Sequence, residues 1–120
     1  MILKSGATVV VTTGGIDTLC SKYFTDAGVM AIRRVDKRDL RQVAKATGAT
    51  IVLNLFNVEG EDSFNTEYLG EAGEVAQEWV SDKELVYFRD TKNVATASII
   101  LRGPNDYTLD EMERYVAYYL

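Results

Sequence analysis

The first half of the 120-residue chain alternates short β-branched segments with amphipathic segments, and this alternation constrains the fold more than any other feature. Residues 8–12 read Thr-Val-Val-Val-Thr, a composition typical of a buried strand. Residues 29–32 and 50–53 are also short and apolar, and one helical pattern separates each strand segment from the next. Strands that alternate with helices favour parallel neighbours, so this half of the chain predicts an α/β layer.

The two intervening segments carry the periodicity and the end signals of helices. The first has apolar residues at three- and four-residue spacing, namely Ile16, Leu19, Cys20, Tyr23, Phe24 and Ala27, and Gly28 suits the left-handed residue that ends a helix. The second is predicted over residues 37–47, with Asp36 as its N-cap and Gly48 at its end. Its predicted inner face contains Leu40, Val43, Ala44 and Thr47. The opposite face then carries Lys37, Arg38, Arg41, Gln42 and Lys45.

The second half of the chain has a different pattern. Residues 57–72 are polar, acidic and glycine-containing, which indicates a long loop with at most one helical turn. Three strand segments follow with short polar breaks, at residues 75–80, 85–88 and 97–101, and such a series favours an antiparallel meander. After a turn at residues 103–106, the capping-box spacing of Thr108 and Glu111 predicts a final helix. Its predicted inner face contains Leu109, Met112, Val116 and Leu120.

The residue inventory excludes several kinds of chemistry. The chain has no histidine and one cysteine, Cys20, so it lacks Ser-His and Cys-His nucleophile pairs and the usual zinc ligands. A single cysteine also excludes an intramolecular disulfide and favours a reducing compartment. The first six residues lack the pattern of a secretory signal, and no apolar run reaches the ~20 residues that a membrane-spanning helix needs. We therefore expect a soluble cytoplasmic domain that binds no membrane.

The net charge of −5 is unevenly distributed along the chain. Six of the 13 basic residues lie between positions 33 and 45, whereas nine of the 18 acidic residues lie between positions 59 and 84. A basic cluster is compatible with nucleic-acid binding, but phosphate recognition favours a basic face across the whole domain. We therefore expect no nucleic-acid partner. The cationic side of the 37–47 segment is either a solvated helix face or a surface for a partner.

Three further features have a functional and a structural interpretation. Gly14 and Gly15 precede a helix and could hold an anion through backbone N–H groups, but the fuller dinucleotide motif is missing, so a structural turn is favoured. The acidic stretch 59–71 lacks the ligand register of a calcium loop, and we predict no metal site. Trp79 and the tyrosines are predicted to pack within the domain rather than to form a stacking platform.

Several separated motifs give the chain a family resemblance. They lie at residues 12–17, 31–35, 37–40, 44–49, 69–72, 99–103 and 110–114. In their order and spacing they resemble the group II chaperonins, and the resemblance covers nearly all of residues 5–114. The chain is similar in particular to one subunit type of the eukaryotic cytosolic members at residues 12–15, 58–61 and 105–106.

The resemblance implies a chaperonin apical-domain-like fragment of the swivelling β/β/α type, with a mixed sheet flanked by helices. Residues 1–106 would be the second half of the apical domain, and residues 107–120 the start of the helix that returns to the intermediate domain. It also implies unfolded client proteins and neighbouring subunits of a hetero-oligomeric ring as partners. The implied client-binding residues are Lys37, Arg38, Arg41, Gln42 and Lys45.

The resemblance places catalysis and cofactors outside this chain. ATP and Mg²⁺ belong to the parent subunit, whose phosphate loop has no counterpart here, and we expect no cofactor or catalytic residue in this segment. The family's catalytic aspartate matches Tyr118 in the final helix, which departs from the family pattern. A small α/β nucleotide- or anion-binding domain that uses the Gly14-Gly15 turn, and a purely structural interaction domain, remain as alternatives. A half-domain leaves apolar surface uncovered, so we expect the isolated chain to self-associate or to rearrange locally.

Overall fold

A computed structural model describes residues 2–55, 64–93 and 96–120, which contain two separate two-stranded sheets and three α-helices. In chain order these are β1 (Val9–Val11), α1 (Thr18–Asp26), β2 (Met30–Ile32), α2 (Lys37–Thr47), β3 (Ala72–Val80), β4 (Lys83–Thr91) and α3 (Asp106–Tyr119). Single turns of 3-10 helix lie at Ile2–Ser5 and Thr66–Tyr68, the second within the predicted long loop. No helix in the described segments is long and apolar enough to cross a membrane.

The β1–α1–β2 unit forms the predicted parallel pair. Val9 lies opposite Met30 and Val11 opposite Ile32, and the pairing extends through a hydrogen bond from the Thr12 N–H to the Ile32 carbonyl (2.9 Å). The carboxylate of Asp17 caps α1 by accepting the Leu19 N–H at 3.0 Å. Gly28 has φ of 69°, a left-handed conformation that lets the chain turn from α1 into β2.

Helix α2 has the predicted bounds and caps. Asp36 accepts the Arg38 N–H at 2.7 Å, and Gly48 follows the helix with φ of 75°. The predicted inner residues Leu40, Val43 and Ala44 are half-buried, and Thr47 is buried. Ala46 and Thr47, with 8% and 7% exposure, are the two buried residues of the described segments, so the best-packed point of this structure is the last turn of α2.

Strands β3 and β4 form the predicted hairpin. They pair antiparallel from Ala72 opposite Thr91 to Val80 opposite Lys83, joined by a two-residue turn. On one face the Arg89 guanidinium donates to Glu74 (2.9 Å) and to Glu78 (2.7 Å). These two hydrogen bonds, with Glu74 the larger influence, raise the pKa of Arg89 further above its already high value.

Two of the predicted strands do not form. Residues 50–53 and 97–101 belong to neither described sheet, and both the parallel layer and the antiparallel meander therefore contain one strand fewer than predicted. A strand is defined by hydrogen bonds to a neighbour, and neither segment is paired with a strand of the two described sheets. The predictions of these two strands are therefore wrong: apolar composition is typical of strands, but a strand also needs a neighbour to pair with.

Several predicted inner residues are exposed instead. On α1, Leu19 and Tyr23 are 60% and 59% exposed, because no described element packs over that side of the helix. Trp79 is 70% exposed on the hairpin, contrary to its predicted packing role, and several tyrosines, including Tyr118, are also exposed. In α3, Leu109 and Val116 are half-buried, whereas Met112 and Leu120 are exposed.

The start of α3 also differs from the prediction. The cap is Asn105, whose side-chain oxygen accepts the Thr108 N–H at 2.9 Å, and the helix begins at Asp106. Asn is a strong cap, and its side chain accepts the Thr108 N–H, which places Thr108 inside the first turn of the helix rather than at its N-cap. The predicted capping box at Thr108 is therefore wrong.

Candidate functional site

The outer face of α2 is a continuous cationic surface. Lys37, Arg41 and Lys45 recur every four residues, so they form one stripe along the helix, and Arg38 and Gln42 lie beside it. All five side chains are exposed. We use "outer face of α2" for these five residues. The structure thus brings every predicted client-binding residue onto one accessible surface.

Most of this charge has no partner in the described part of the chain. Arg38 approaches the Asp36 carboxylate at 3.6 Å, but both side chains are largely exposed, so the pair is weak. Lys37, Arg41 and Lys45 form no ion pair with any described residue. Asp39 is the single acidic residue within the helix. The outer face therefore presents free positive charge to solvent.

The C-terminal end of α2 is fixed to the open end of the β3–β4 hairpin. The backbone N–H of Asn93 donates to the Ala46 carbonyl (2.9 Å), and its side-chain amide donates to the Lys45 carbonyl (3.0 Å). The Glu71 N–H donates to the Thr47 carbonyl (2.9 Å). The last carbonyls of a helix lack partners within the helix, so these three bonds satisfy them and attach α2 to the hairpin. We call Glu71 and Asn93 the α2 clamp.

Gly70 makes the close approach at this junction possible. A Cβ atom at Gly70 would lie 2.6 Å from the Thr47 hydroxyl oxygen and 2.8 Å from both the backbone nitrogen and the Cβ of Ala49. The Thr47 hydroxyl is itself held by a hydrogen bond to the Val43 carbonyl at 2.8 Å. The loop before β3 can therefore lie against the end of α2 only where residue 70 has no side chain.

The α2 clamp is the part of the site that sequence patterns did not find. Asn93 and Glu71 are ordinary polar residues in polar segments, and nothing in their spacing connects them with α2, which lies more than twenty positions away. Gly70 gave the only local indication of a close contact, because it is a glycine between the side chains of Leu69 and Glu71. By contrast, the outer face of α2 follows directly from helical periodicity.

The Gly14-Gly15 segment forms a turn and not a helix N-terminus. Helix α1 begins only at Thr18, and its first turn is already capped by the Asp17 carboxylate, which would repel an anion at that position. The Gly14 N–H donates to the Thr12 hydroxyl oxygen (3.2 Å), and its carbonyl accepts the Arg34 N–H (3.1 Å). Because the N–H and the carbonyl of Gly14 have internal partners, the geometry favours the structural interpretation of this segment.

Other candidate groups contribute little to a site. Within the described segments, no group of three or more Asp, Glu, His or Cys side chains is placed to hold a metal ion. The predicted loop at residues 58–61 and residues 59–63 of the acidic stretch lie outside the described residues. Tyr118, at the position matched to the family's catalytic aspartate, is exposed near the end of α3, and Cys20 is an exposed free thiol.

Comparison with known sequences identifies one matching family and relatives that agree with it. The sequence profile of the TCP-1/cpn60 chaperonin family matches residues 1–118. The chain is 53% identical over 116 residues to T-complex protein 1 subunit alpha of Dictyostelium discoideum, covering 97% of this chain and 21% of that protein. It is 51% identical over 113 residues to T-complex protein 1 subunit alpha of Arabidopsis thaliana, covering 94% and 21%. The chain thus spans about a fifth of the length of these curated relatives.

Comparison with solved structures gives the same result for the fold. The chain superposes with a TM-score of 0.85 on the open-state monomer of a group II chaperonin from Methanococcoides burtonii. The two are 34% identical, and the match covers 94% of this chain and 27% of that one. The predicted mixed α/β, chaperonin-like fold is confirmed. The resemblance to an alpha subunit indicated by residues 12–15, 58–61 and 105–106 is confirmed by the sequence relatives.

Proposed function

Because the chain belongs to the TCP-1/cpn60 chaperonin family, we propose that it is part of the substrate-binding apical domain of an ATP-dependent ring chaperonin in the cytoplasm. In this proposal residues 1–106 form the second half of the apical domain, and residues 107–120 begin the helix toward the intermediate domain. The partners are unfolded client proteins and neighbouring subunits of a hetero-oligomeric ring. ATP and Mg²⁺ act in domains of the parent subunit beyond these residues, and this segment contributes no catalytic group.

The outer face of α2 is the observation that carries the proposal. Its lysine and arginine side chains have long methylene stems that can lie on apolar parts of a client while their charged ends remain in water. A surface of this kind adapts to many sequences, which suits varied unfolded proteins better than a shaped pocket does. Client capture is therefore proposed as reversible contact with Lys37, Arg38, Arg41, Gln42 and Lys45.

The α2 clamp supports a role in which this surface is moved as a unit. Three hydrogen bonds hold the end of α2 on the β3–β4 hairpin, so a displacement of the hairpin carries the helix with it. Nucleotide-driven movement of other domains of the parent subunit would then reposition the outer face of α2 without reshaping it. In this proposal a client is bound or released according to the position in which the moving domains place the outer face of α2.

Charge reversal on the outer face tests this function. With Arg38→Glu, Arg41→Glu and Lys45→Glu combined, we expect the intact ring to bind unfolded clients about tenfold more weakly, because three exposed charge contacts of ~0.2–1 kcal/mol each are lost. Light scattering by an aggregating client measures capture, and it also separates a chaperone from a purely structural interaction domain.

The matched control places the same charge change elsewhere. Lys22, Lys83 and Arg102 are exposed cations outside α2 with no ion pair to a described residue, so their combined change to Glu alters net charge equally. We expect this control to retain client capture. Unchanged capture by the α2 variant would show that its outer face does not bind clients.

A further inference from the structure

We infer that the outer face of α2 selects extended acidic segments of unfolded polypeptides, in which carboxylates stand at alternate positions. This inference rests on the proposed function and adds to it the chemical class of client that the surface recognises. It comes from the side chains that the face presents, the spacing between them and the charge of the rest of the chain.

The first observation is that the outer face offers no apolar side chain. The apolar residues of α2, Leu40, Val43 and Ala44, turn inward and are half-buried, whereas the exposed positions of the helix are charged or amide side chains. An apolar client segment would gain only the contact of methylene stems here. Charge on the client must therefore decide which segments bind well.

The second observation is that the cations are available and regularly spaced. Lys37, Arg41 and Lys45 have no ion pair in the described part of the chain, so a client carboxylate displaces no internal partner. Residues four apart on a helix are separated by about 6 Å along its axis. In an extended strand, residues two apart are separated by about 6.6 Å and point to the same side. Carboxylates at alternate positions of an extended client therefore match the stripe.

The third observation is the contrast between α2 and the rest of the chain. Helix α2 carries four basic residues and one acidic residue, whereas the whole chain has a net charge of −5. An acidic client is repelled by most of the molecule and attracted at this helix, so the charge distribution directs it to one place. A basic client is repelled at α2 and attracted to the rest of the chain.

Synthetic peptides of equal apolar content test the inference. The first has glutamates at alternate positions, the second has glutamines there, and the third has lysines. A fourth has the same number of glutamates gathered at one end. We expect the first peptide to bind about tenfold more tightly than the second, the product of three exposed ion pairs. The lysine peptide should bind most weakly, and the clustered peptide between the first and the second.

Removing the charges of the outer face of α2, or screening them with salt, tests whether the preference for the first peptide comes from those charges. The combined change Lys37→Gln, Arg41→Gln and Lys45→Gln keeps helix propensity, and it should reduce binding of the first peptide to the level of the second. Raising the ionic strength to about 1 M, where the Debye length is about 3 Å, should do the same. The matched variant Lys22→Gln, Lys83→Gln and Arg102→Gln should keep the preference.

The outcomes separate this inference from the function on which it rests. Equal binding of the first three peptides, or an acidic preference that survives in the α2 variant, overturns the inference and leaves client capture at α2 standing. Equal binding of the alternate and clustered glutamate peptides overturns the part of the inference that requires carboxylates at alternate positions. Absence of binding by every peptide overturns both the inference and the proposed function.

Discussion

Gly70→Ala is expected to lower the free energy of unfolding by about 1–3 kcal/mol, a large effect for a single added methyl group. The new Cβ would overlap the Thr47 hydroxyl and the backbone and side chain of Ala49. Neither neighbour can easily move, because the Thr47 hydroxyl is bonded to the Val43 carbonyl and Ala49 directly follows Gly48 in its left-handed conformation. The loop must therefore withdraw, which breaks the hydrogen bond between Glu71 and Thr47.

Far-UV circular dichroism during thermal unfolding, at one fixed protein concentration, measures this loss. Gly15→Ala is the matched control, because no atom lies within 4 Å of its added Cβ and its backbone is not left-handed. We expect the control to unfold at the same temperature as the parent chain or slightly above it. If Gly70→Ala were as stable as Gly15→Ala, the junction between α2 and the hairpin would not be packed as described.

The isolated chain is expected to self-associate, with a sedimentation coefficient that rises with concentration. Within the described segments only Ala46 and Thr47 are buried, and large apolar side chains stand exposed on several elements. The parallel pair β1–β2 also has no further described strand on either side. Exposed apolar surface and open strand edges both favour association between copies. A compact monomer at every concentration would contradict this expectation.

The exposed stripe of α1 allows a matched test of the cause. Leu19→Lys with Tyr23→Lys places two charges on the apolar side of α1, where both side chains are more than half exposed. Ser21→Lys with Thr25→Lys adds the same charge at exposed polar positions of that helix. We expect the first pair to weaken association and the second to leave it nearly unchanged. Equal effects would assign the association to net charge rather than to apolar contact.

The elements that the sequence predicted well are those whose signals are local. Helix α2 begins after Asp36 and ends before Gly48, because an N-cap and a left-handed glycine act within a few residues of themselves. The turn between β3 and β4 and the left-handed Gly28 are local in the same way. These features need no knowledge of the rest of the molecule.

The features that sequence reasoning missed depend on distant neighbours. Residues 97–101 have strand composition but no described strand to pair with, and the apolar periodicity of α1 does not say what covers it. The same reason explains the exposed Trp79. Periodicity shows which side of an element is apolar, whereas burial also requires a second element in contact with that side.

In the candidate site, too, the feature set by local sequence was predicted and the feature set by distant residues was not. The outer face of α2 was predicted residue by residue, because helical geometry alone places Lys37, Arg41 and Lys45 in one stripe. The α2 clamp was not predicted, since Asn93 meets the Lys45 carbonyl only after the chain has formed the hairpin between them. The presentation of the surface, as distinct from its composition, is therefore a product of tertiary structure.

Site-specific photocrosslinking detects whether unfolded clients contact the outer face of α2. A photoreactive amino acid replaces Gln42, the uncharged member of that face, in the intact ring, and an unfolded client is added before illumination. The same residue at Ser21, exposed on α1, serves as the control position. We expect strong crosslinking to the client from position 42 and little from position 21. Equal crosslinking from the two positions, or none from position 42, would show that the outer face of α2 does not capture clients.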